Sequence, residues 1–118
     1  MTSLSVEMIT FDSADPDRLA AWWATVVGGT VNALAPGEFV LVVRPEGPRL
    51  GFQRVDEPTP GKNRVHVDFT AAELDQEVDR LVALGAVETS RQDMGGGFRW
   101  VVFADPDGNA FCVGTGGE

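Results

Sequence analysis

Two stretches of the chain share the same order of apolar and polar positions. Residues alternate along Met8–Asp15, as in a half-buried strand, and a helical pattern follows. His66–Glu73 repeats this order at an offset of 58 residues. An internal repeat of this kind predicts that the chain consists of two equivalent halves.

The first half contains a helical stripe of apolar residues. These residues recur at the spacing of one buried helical face and are Leu19, Trp22, Trp23, Val26 and Val27. The stripe predicts a helix over Pro16–Val27. Asp12, Ser13 or Asp15 is expected to cap its first amides, and Gly28 with Gly29 is expected to end it.

The second half repeats the helical stripe in a shorter form. Its apolar positions are Leu74, Val78, Leu81 and Val82. Thr70 and Glu73 have the spacing of a capping box, and Gly85 is expected to end the helix. The two helices are therefore predicted to be equivalent elements of the two halves.

Short β-like segments separated by turn residues follow each helix. They are Thr30–Ala33, Glu38–Arg44, Arg49–Val55, Val87–Ser90, Phe98–Ala104 and Ala110–Thr115. The sequence thus predicts an α+β fold with two tandem β-α-β-β-β modules, as facing curved mixed sheets around a cleft. We expect one domain over residues 1–118, with module one at about 4–56, a linker at about 57–62 and module two at about 63–116.

Composition excludes several classes of function. The chain has 118 residues, 9 basic against 18 acidic, and a formal net charge of −9, so nucleic acid is not an expected partner. The apolar run Phe39–Val43 is far too short to span a bilayer, so no membrane segment is expected. A lone Cys112 and the absence of a leader pattern after Met1 predict a cytoplasmic protein without an intramolecular disulfide.

Several motifs carry a resemblance to a known family. Asp15–Trp23, Asn63–Asp68, Leu84–Ala86 and Asp105–Asn109 resemble the glyoxalase/bleomycin-resistance/extradiol-dioxygenase superfamily, which has the vicinal oxygen chelate fold. With Phe52–Val55, the chain is similar to the short actinobacterial-type glyoxalase-like domains. The resemblance implies a bacterial homodimer that binds a small molecule. Because the superfamily includes lyases, isomerases, dioxygenases and drug-sequestering proteins without metal, it leaves open whether the chain is an enzyme.

The resemblance also implies where a metal would bind. In catalytic members the ligands are His, Gln and Glu; His66 matches the histidine and Gln53 lies where another ligand is placed. Met8 occupies the equivalent place in the first half, and Cys112 replaces the essential Glu. This set contains no carboxylate, which favours a protein without the divalent metal and with no cofactor. An alternative is a zinc or nickel ion held by Gln53, His66 and Cys112 in a metal-assisted lyase, isomerase or dioxygenase.

Two further side chains are candidates for the site. Asp68 lies on the same strand face as His66, where it would orient the imidazole, bind a ligand or be solvated. Trp100 would stack on a planar ligand or belong to the core. The favoured hypothesis is a small-molecule binding protein, with drug sequestration as a further alternative, and its predicted ligand-binding residues are Met8, Gln53, His66, Trp100 and Cys112.

Overall fold

A computed structural model describes residues 6–61, 63, 66–93 and 95–115 of the chain. Its contacts divide the chain into two units, Met1–Pro58 and Thr59–Glu118. Within each unit a strand is followed by a helix and three more strands. The predicted α+β class and the tandem β-α-β-β-β modules are therefore confirmed.

The two units have the same sheet topology. The first contains β1 (Met8–Ser13), α1 (Pro16–Val27), β2 (Thr30–Ala35), β3 (Phe39–Val43) and β4 (Arg49–Arg54), with strand order β1-β4-β3-β2. The second contains β5 (Val67–Thr70), α2 (Leu74–Ala83), β6 (Val87–Asp93), β7 (Arg99–Ala104) and β8 (Ala110–Gly114), with strand order β5-β8-β7-β6. In each sheet the strand before the helix pairs in parallel with the last strand, and the other pairs are antiparallel.

Helix α1 begins and ends where the sequence predicts. Among the three candidate caps, Asp15 is the N-cap, and its carboxylate accepts a hydrogen bond from the backbone N–H of Arg18 at 3.3 Å. Gly28 adopts a left-handed conformation with φ 71°, and its N–H donates to the carbonyl of Ala24. Glycine adopts this conformation without the steric cost that a Cβ imposes, so the helix ends there.

Helix α2 begins later than the capping box predicts. Thr70 is the last residue of β5 and pairs with Gly114, and the N–H of Ala71 donates to the Gly114 carbonyl. The sheet thus keeps this segment extended, and Glu73 becomes the N-cap without a side-chain capping bond. The predicted capping box is wrong for this reason. Within the described part of the chain, neither helix has the length and apolarity needed to cross a membrane.

Strand β6 is longer than its hydrophobic pattern indicates. The prediction ended at Ser90, but Arg91, Gln92 and Asp93 continue the pairing with β7. All seven residues of the edge strand β6 are exposed, so it lacks the alternation that marks a strand with one buried face. Strand β2 is also an exposed edge strand, and it contains a register shift between Ala33 and Ala35.

Candidate functional site

In the first unit, α1 packs on one face of the sheet. The Phe11 ring lies 5.5 Å from that of Trp23 on α1 and 5.1 Å from that of Phe52, and Trp23 is fully buried. Because side chains alternate along a strand, Met8 and Gln53 lie on the opposite, helix-free face of this sheet. This places both predicted residues on one surface.

A glycine shapes the helix-free face of the first sheet. A Cβ at Gly51 would lie 2.8 Å from Sδ of Met8 and 3.1 Å from Oγ1 of Thr10. The side chains of Met8 and Thr10 therefore fill the space above Gly51 on β4. A larger residue at position 51 would clash with them.

In the second unit, α2 likewise packs on one face of the sheet. Asp75 of α2 lies 3.2 Å from Nη1 of Arg99. Arg99 lies on the same face of β7 as the buried Val101 and Phe103. The opposite face carries Trp100 and the side chains in register with it. We refer to this surface as the second helix-free face, and it comprises Asp68, Thr70, Trp100, Val102, Cys112 and Gly114.

The register of the four strands arranges the second helix-free face in rows. In one row, Asp68 lies opposite Cys112, Cys112 opposite Val102, and Val102 opposite Ser90. The next row contains Thr70, Gly114, Trp100 and Gln92. Polar and aromatic groups are thus neighbours on a surface that no helix of this unit covers.

A cluster of imidazole, carboxylate and thiol lies at one edge of the second helix-free face. His66 directly precedes β5, and its Nε2 atom is 3.3 Å from Oδ1 of Asp68. The candidate ligand atoms of His66, Asp68 and Cys112 all lie within 4.8 Å of one another. The His66 and Asp68 side chains are 40% and 71% exposed, and Cys112 is half-buried, so an incoming molecule can reach the cluster.

This cluster adds a carboxylate to the residues predicted from the family resemblance. The set predicted from the family resemblance contains no carboxylate, but the structure places Asp68 beside both His66 and Cys112. Asp68 is an addition to that set, and it lies on β5 two residues after His66. The i, i+2 spacing from His66 is the sequence signal that identifies it.

The segments that flank the cluster are fixed by side-chain hydrogen bonds to the backbone. Oδ1 of Asn63 accepts a bond of 2.8 Å from the N–H of Ala110, the first residue of β8. The buried Asp105 carboxylate accepts bonds from the N–H groups of Asp107 and Asn109 and from the Asn109 amide. These bonds hold the turn before β8 and thereby the position from which Cys112 projects.

Trp100 supplies an aromatic surface one row away from the cluster. It is half-buried, and its ring centre lies 5.3 Å from that of Phe98 at an interplanar angle of 46°. Gly114 lies opposite Trp100, and a Cβ there would lie only 3.4 Å from the Trp100 Cβ. A glycine at this position therefore leaves space beside the indole.

The charged pair with shifted pKa values lies away from the second helix-free face. Arg91 donates from Nε and Nη2 to the two carboxylate oxygens of Glu88, both at 2.8 Å. This bidentate bond lowers the pKa of Glu88 below its usual range and raises that of Arg91, which Asp75 and Asp79 raise further. A register shift after Glu88 places both residues opposite side chains of the helix-covered face, Phe103 and Val101.

The structure distributes the predicted ligand-binding residues over the two units. His66, Trp100 and Cys112 are associated with the second helix-free face. Met8 and Gln53 lie on the helix-free face of the first sheet. Their roles in ligand binding stay predictions.

Comparison with known proteins assigns the chain to a family. A family model described as a glyoxalase-like domain matches residues 8–114. No curated protein matches the sequence.

Solved structures share the fold at low sequence identity. A glyoxalase/bleomycin resistance protein/dioxygenase family enzyme from Burkholderia phytofirmans PsJN has a TM-score of 0.79 and 16% identity, with 95% of this chain and 98% of that chain covered. The fosfomycin resistance protein FosX of Listeria monocytogenes has a TM-score of 0.77 and 20% identity, with 99% of this chain and 95% of that chain covered. Lactoylglutathione lyase of Agrobacterium tumefaciens has a TM-score of 0.73 and 21% identity, with 98% of this chain and 96% of that chain covered. At these identities the comparison establishes the fold alone.

Proposed function

Because the chain belongs to the glyoxalase-like domain family, we propose that it binds a small organic molecule on the second helix-free face. One observation carries this proposal: a half-buried indole and a cluster of imidazole, carboxylate and thiol lie in adjacent rows of a surface that no helix of the unit covers. Small-molecule sites typically combine an apolar or aromatic lining with a few polar groups that fix orientation.

The arrangement indicates a ligand with two chemically different ends. A planar ring would stack on Trp100 in the space left by Gly114 and beside Phe98. A polar substituent would then reach Asp68, Cys112 or His66 in the next row. The ligand class is therefore a planar aromatic compound with a hydrogen-bonding group.

The helix-free face of the first sheet offers weaker support for binding a small molecule. Its helix-free face presents Met8 and Gln53, a flexible thioether and an amide. Both stay predicted ligand contacts, and the proposal rests on the second unit.

Proteins with this fold carry names of different functional types. The Agrobacterium relative is named a lactoylglutathione lyase and the Listeria relative a fosfomycin resistance protein. For this chain we propose binding, and drug sequestration of the resistance type is one form of it. We further propose, from the family resemblance, that the protein is a homodimer, and we propose that it is cytoplasmic. Native mass spectrometry of the purified protein tests the dimer.

Ligand affinity in matched tryptophan variants tests the proposal. Planar aromatic compounds with polar substituents are screened by thermal shift, and the dissociation constant of each hit is measured for the unaltered chain, Trp100→Leu and Trp22→Leu. We expect Trp100→Leu to weaken binding by about tenfold or more, because aromatic anchors dominate such contacts. Trp22 lies on α1 of the first unit, so its variant should bind normally.

Two results would decide against the proposal. Equal affinity of the Trp100→Leu and unaltered proteins would show that the ligand binds elsewhere. Recovery of a chemically changed compound by mass spectrometry would favour the metal-assisted enzyme over a binding protein. Circular dichroism of each variant checks that the comparison is made between folded proteins.

A further inference from the structure

We propose that Cys112 is a nucleophilic thiol that captures planar α,β-unsaturated carbonyl compounds by covalent addition. His66 serves as the base for this thiol, and Asp68 positions the imidazole. The proposal rests on the proposed function, because the compound must first bind beside Trp100. It goes further by naming the class of ligand and a bond-forming step.

A nucleophile, a base and a carboxylate lie together at the edge of the second helix-free face. The thiol sulfur of Cys112, an imidazole nitrogen of His66 and a carboxylate oxygen of Asp68 are all within 4.8 Å of one another. Oδ1 of Asp68 is 3.3 Å from Nε2 of His66, so the carboxylate stabilises the imidazolium that forms when the ring takes a proton. Distances between a nucleophile and its base are often longer before a substrate binds than during the reaction, and a small side-chain rotation shortens this one.

Strand pairing fixes the thiol relative to the indole. Cys112 is the register partner of Asp68 on β5 and of Val102 on β7. Trp100 lies two residues from Val102 along β7, so it is a diagonal neighbour of Cys112 on the same face. Diagonal neighbours in a sheet are about 7–8 Å apart, a separation that an aromatic ring with a conjugated substituent spans. A ring stacked on Trp100 therefore presents an attached double bond to the thiol.

The cysteine content of the chain favours addition over other reactions of a thiol. Cys112 is the only cysteine in the sequence, so oxidation to a sulfenic acid has no second thiol within the chain to resolve it. Addition to a conjugated double bond needs no second thiol. Because Cys112 is half-buried, an incoming compound can still reach the sulfur.

The addition conserves atoms and electrons. His66 takes the thiol proton, and a sulfur electron pair forms a carbon–sulfur bond at the β carbon of the compound. The carbon–carbon double bond opens, and its electrons move to the carbonyl oxygen as an enolate. The imidazolium then returns the proton to the α carbon. The product is a thioether that carries the whole compound, so no leaving group departs, no oxidant is used and nothing is released from the chain.

A competing explanation is that Cys112 is an ordinary accessible thiol that reacts with any electrophile. The rate of such a reaction rises in proportion to the concentration of the compound and does not depend on an aromatic ring. In a built site the compound binds before it reacts, so the rate reaches a plateau. The concentration dependence of the rate therefore separates the two explanations.

Benzylideneacetone, a planar aryl ketone with a conjugated double bond, is the probe for the experiment. Its addition to the 118-residue chain is followed by intact-protein mass spectrometry, with a chelator present to keep metal ions off the thiol. We expect one adduct per chain, a rate that saturates, and addition about tenfold or more faster than to the same chain unfolded in urea. Ethylideneacetone, which lacks the ring, should add more slowly and without saturation.

Variants of the cluster separate binding from reaction. Cys112→Ser should abolish the adduct. His66→Gln should lower the rate at saturation by about tenfold or more and leave the half-saturating concentration unchanged. Trp100→Leu should raise the half-saturating concentration by about tenfold or more.

The role of Asp68 as a positioning residue has its own controls. Asp68→Asn should lower the rate at saturation, and Asp68→Glu should restore most of it, because it keeps a carboxylate. Asp79→Asn removes an exposed carboxylate from α2, on the opposite side of the same sheet, and should leave the rate unchanged. Circular dichroism checks that each variant is folded.

Benzylacetone, the analogue without the double bond, reports on reversible binding alone. Binding of benzylacetone with no adduct from benzylideneacetone would overturn the proposal and leave the proposed function intact. An adduct that forms no faster in the folded chain than in urea would also overturn it, and so would an unchanged rate in folded His66→Gln. Failure of the proposed function has a different sign, which is benzylacetone binding that Trp100→Leu does not weaken.

Discussion

Asp68 lies directly opposite Cys112 in the parallel pairing of β5 with β8. This pairing brings together a carboxylate and a thiol that are far apart in sequence, and the short spacing from Asp68 adds the imidazole of His66. A one-residue slip of β5 would turn Asp68 to the side of the sheet that α2 covers. The cluster therefore depends on strand register as much as on residue type.

Loss of the Asp68 carboxylate should barely affect stability when no metal is bound. The side chain is 71% exposed, and exposed ion pairs contribute little. We expect Asp68→Asn to change the free energy of unfolding by no more than about 0.5 kcal/mol in chelator, as measured by urea denaturation. A loss of more than about 1 kcal/mol would show that Asp68 stabilises the metal-free fold itself.

Substitution of Gly29 should destabilise the first unit. A Cβ at this position would lie 2.6 Å from Cγ1 of Val42 and 2.8 Å from the carbonyl oxygen of Val43, and the backbone cannot yield easily. We expect Gly29→Ala to cost about 2–3 kcal/mol in thermal or chemical unfolding.

Gly28→Ala is the matched control for Gly29. A Cβ at Gly28 would meet nothing within 4 Å, so its cost is that of the left-handed conformation alone, about 1 kcal/mol. If the two variants unfold at the same denaturant concentration, the close approach of Gly29 to Val42 and Val43 of β3 does not hold.

Removal of the Asp105 carboxylate should destabilise the turn before β8. The side chain is buried and accepts hydrogen bonds from two backbone N–H groups and the Asn109 amide. Bonds to a charged acceptor contribute more than neutral ones, so we expect Asp105→Ala to cost about 2–4 kcal/mol by urea denaturation. The conservative Asp107→Asn variant in the same turn should cost less than about 1 kcal/mol, and equal losses would contradict this role.

The Glu88–Arg91 pair should make part of the stability depend on pH. The hydrogen bond from Arg91 lowers the pKa of Glu88 in the folded chain below its unfolded value. The pair therefore stabilises the fold at pH values above the unfolded pKa, and this contribution is lost as pH falls through the lower folded pKa. NMR titration of the Glu88 carboxyl should show the lowered pKa.

Two arginine variants check the cause of that pKa shift. Arg91→Gln should return the pKa of Glu88 towards its usual value and remove this part of the pH dependence. Arg80→Gln removes a different guanidinium, which binds Glu77, and should leave the Glu88 titration unchanged. An unchanged pKa in Arg91→Gln would mean that another group is responsible.

Sequence patterns predict the elements that bury one face. The helical stripe around Trp23 defines α1 fully, and the repeat between Met8 and His66 indicates the duplicated topology. Edge strand β6 lacks a buried face, so its last three residues could not be predicted from hydrophobic alternation. The capping box predicted at Thr70 is wrong for the start of α2, because the pairing of Thr70 in the sheet outweighs a local capping motif.

The candidate site was predictable in part for a similar reason. Alternation along the strand predicts, from the sequence alone, that Asp68 lies on the same side as His66. The neighbours of Cys112 across the sheet, Asp68 and Val102, depend on register between distant strands. Register is a property of the folded sheet, so the thiol–carboxylate pairing was not available from local patterns.

The indole N–H signals of the tryptophans report whether a ligand binds on the second helix-free face. The chain has three tryptophans, Trp22 and Trp23 on α1 and Trp100 on β7, and Trp100→Leu identifies the third signal in a nitrogen-15 NMR spectrum. On titration with a ligand from the screen, we expect the Trp100 signal to shift along a saturating curve that gives the dissociation constant measured in the affinity experiments. A saturating shift of the Trp22 signal with Trp100 unchanged would contradict this expectation.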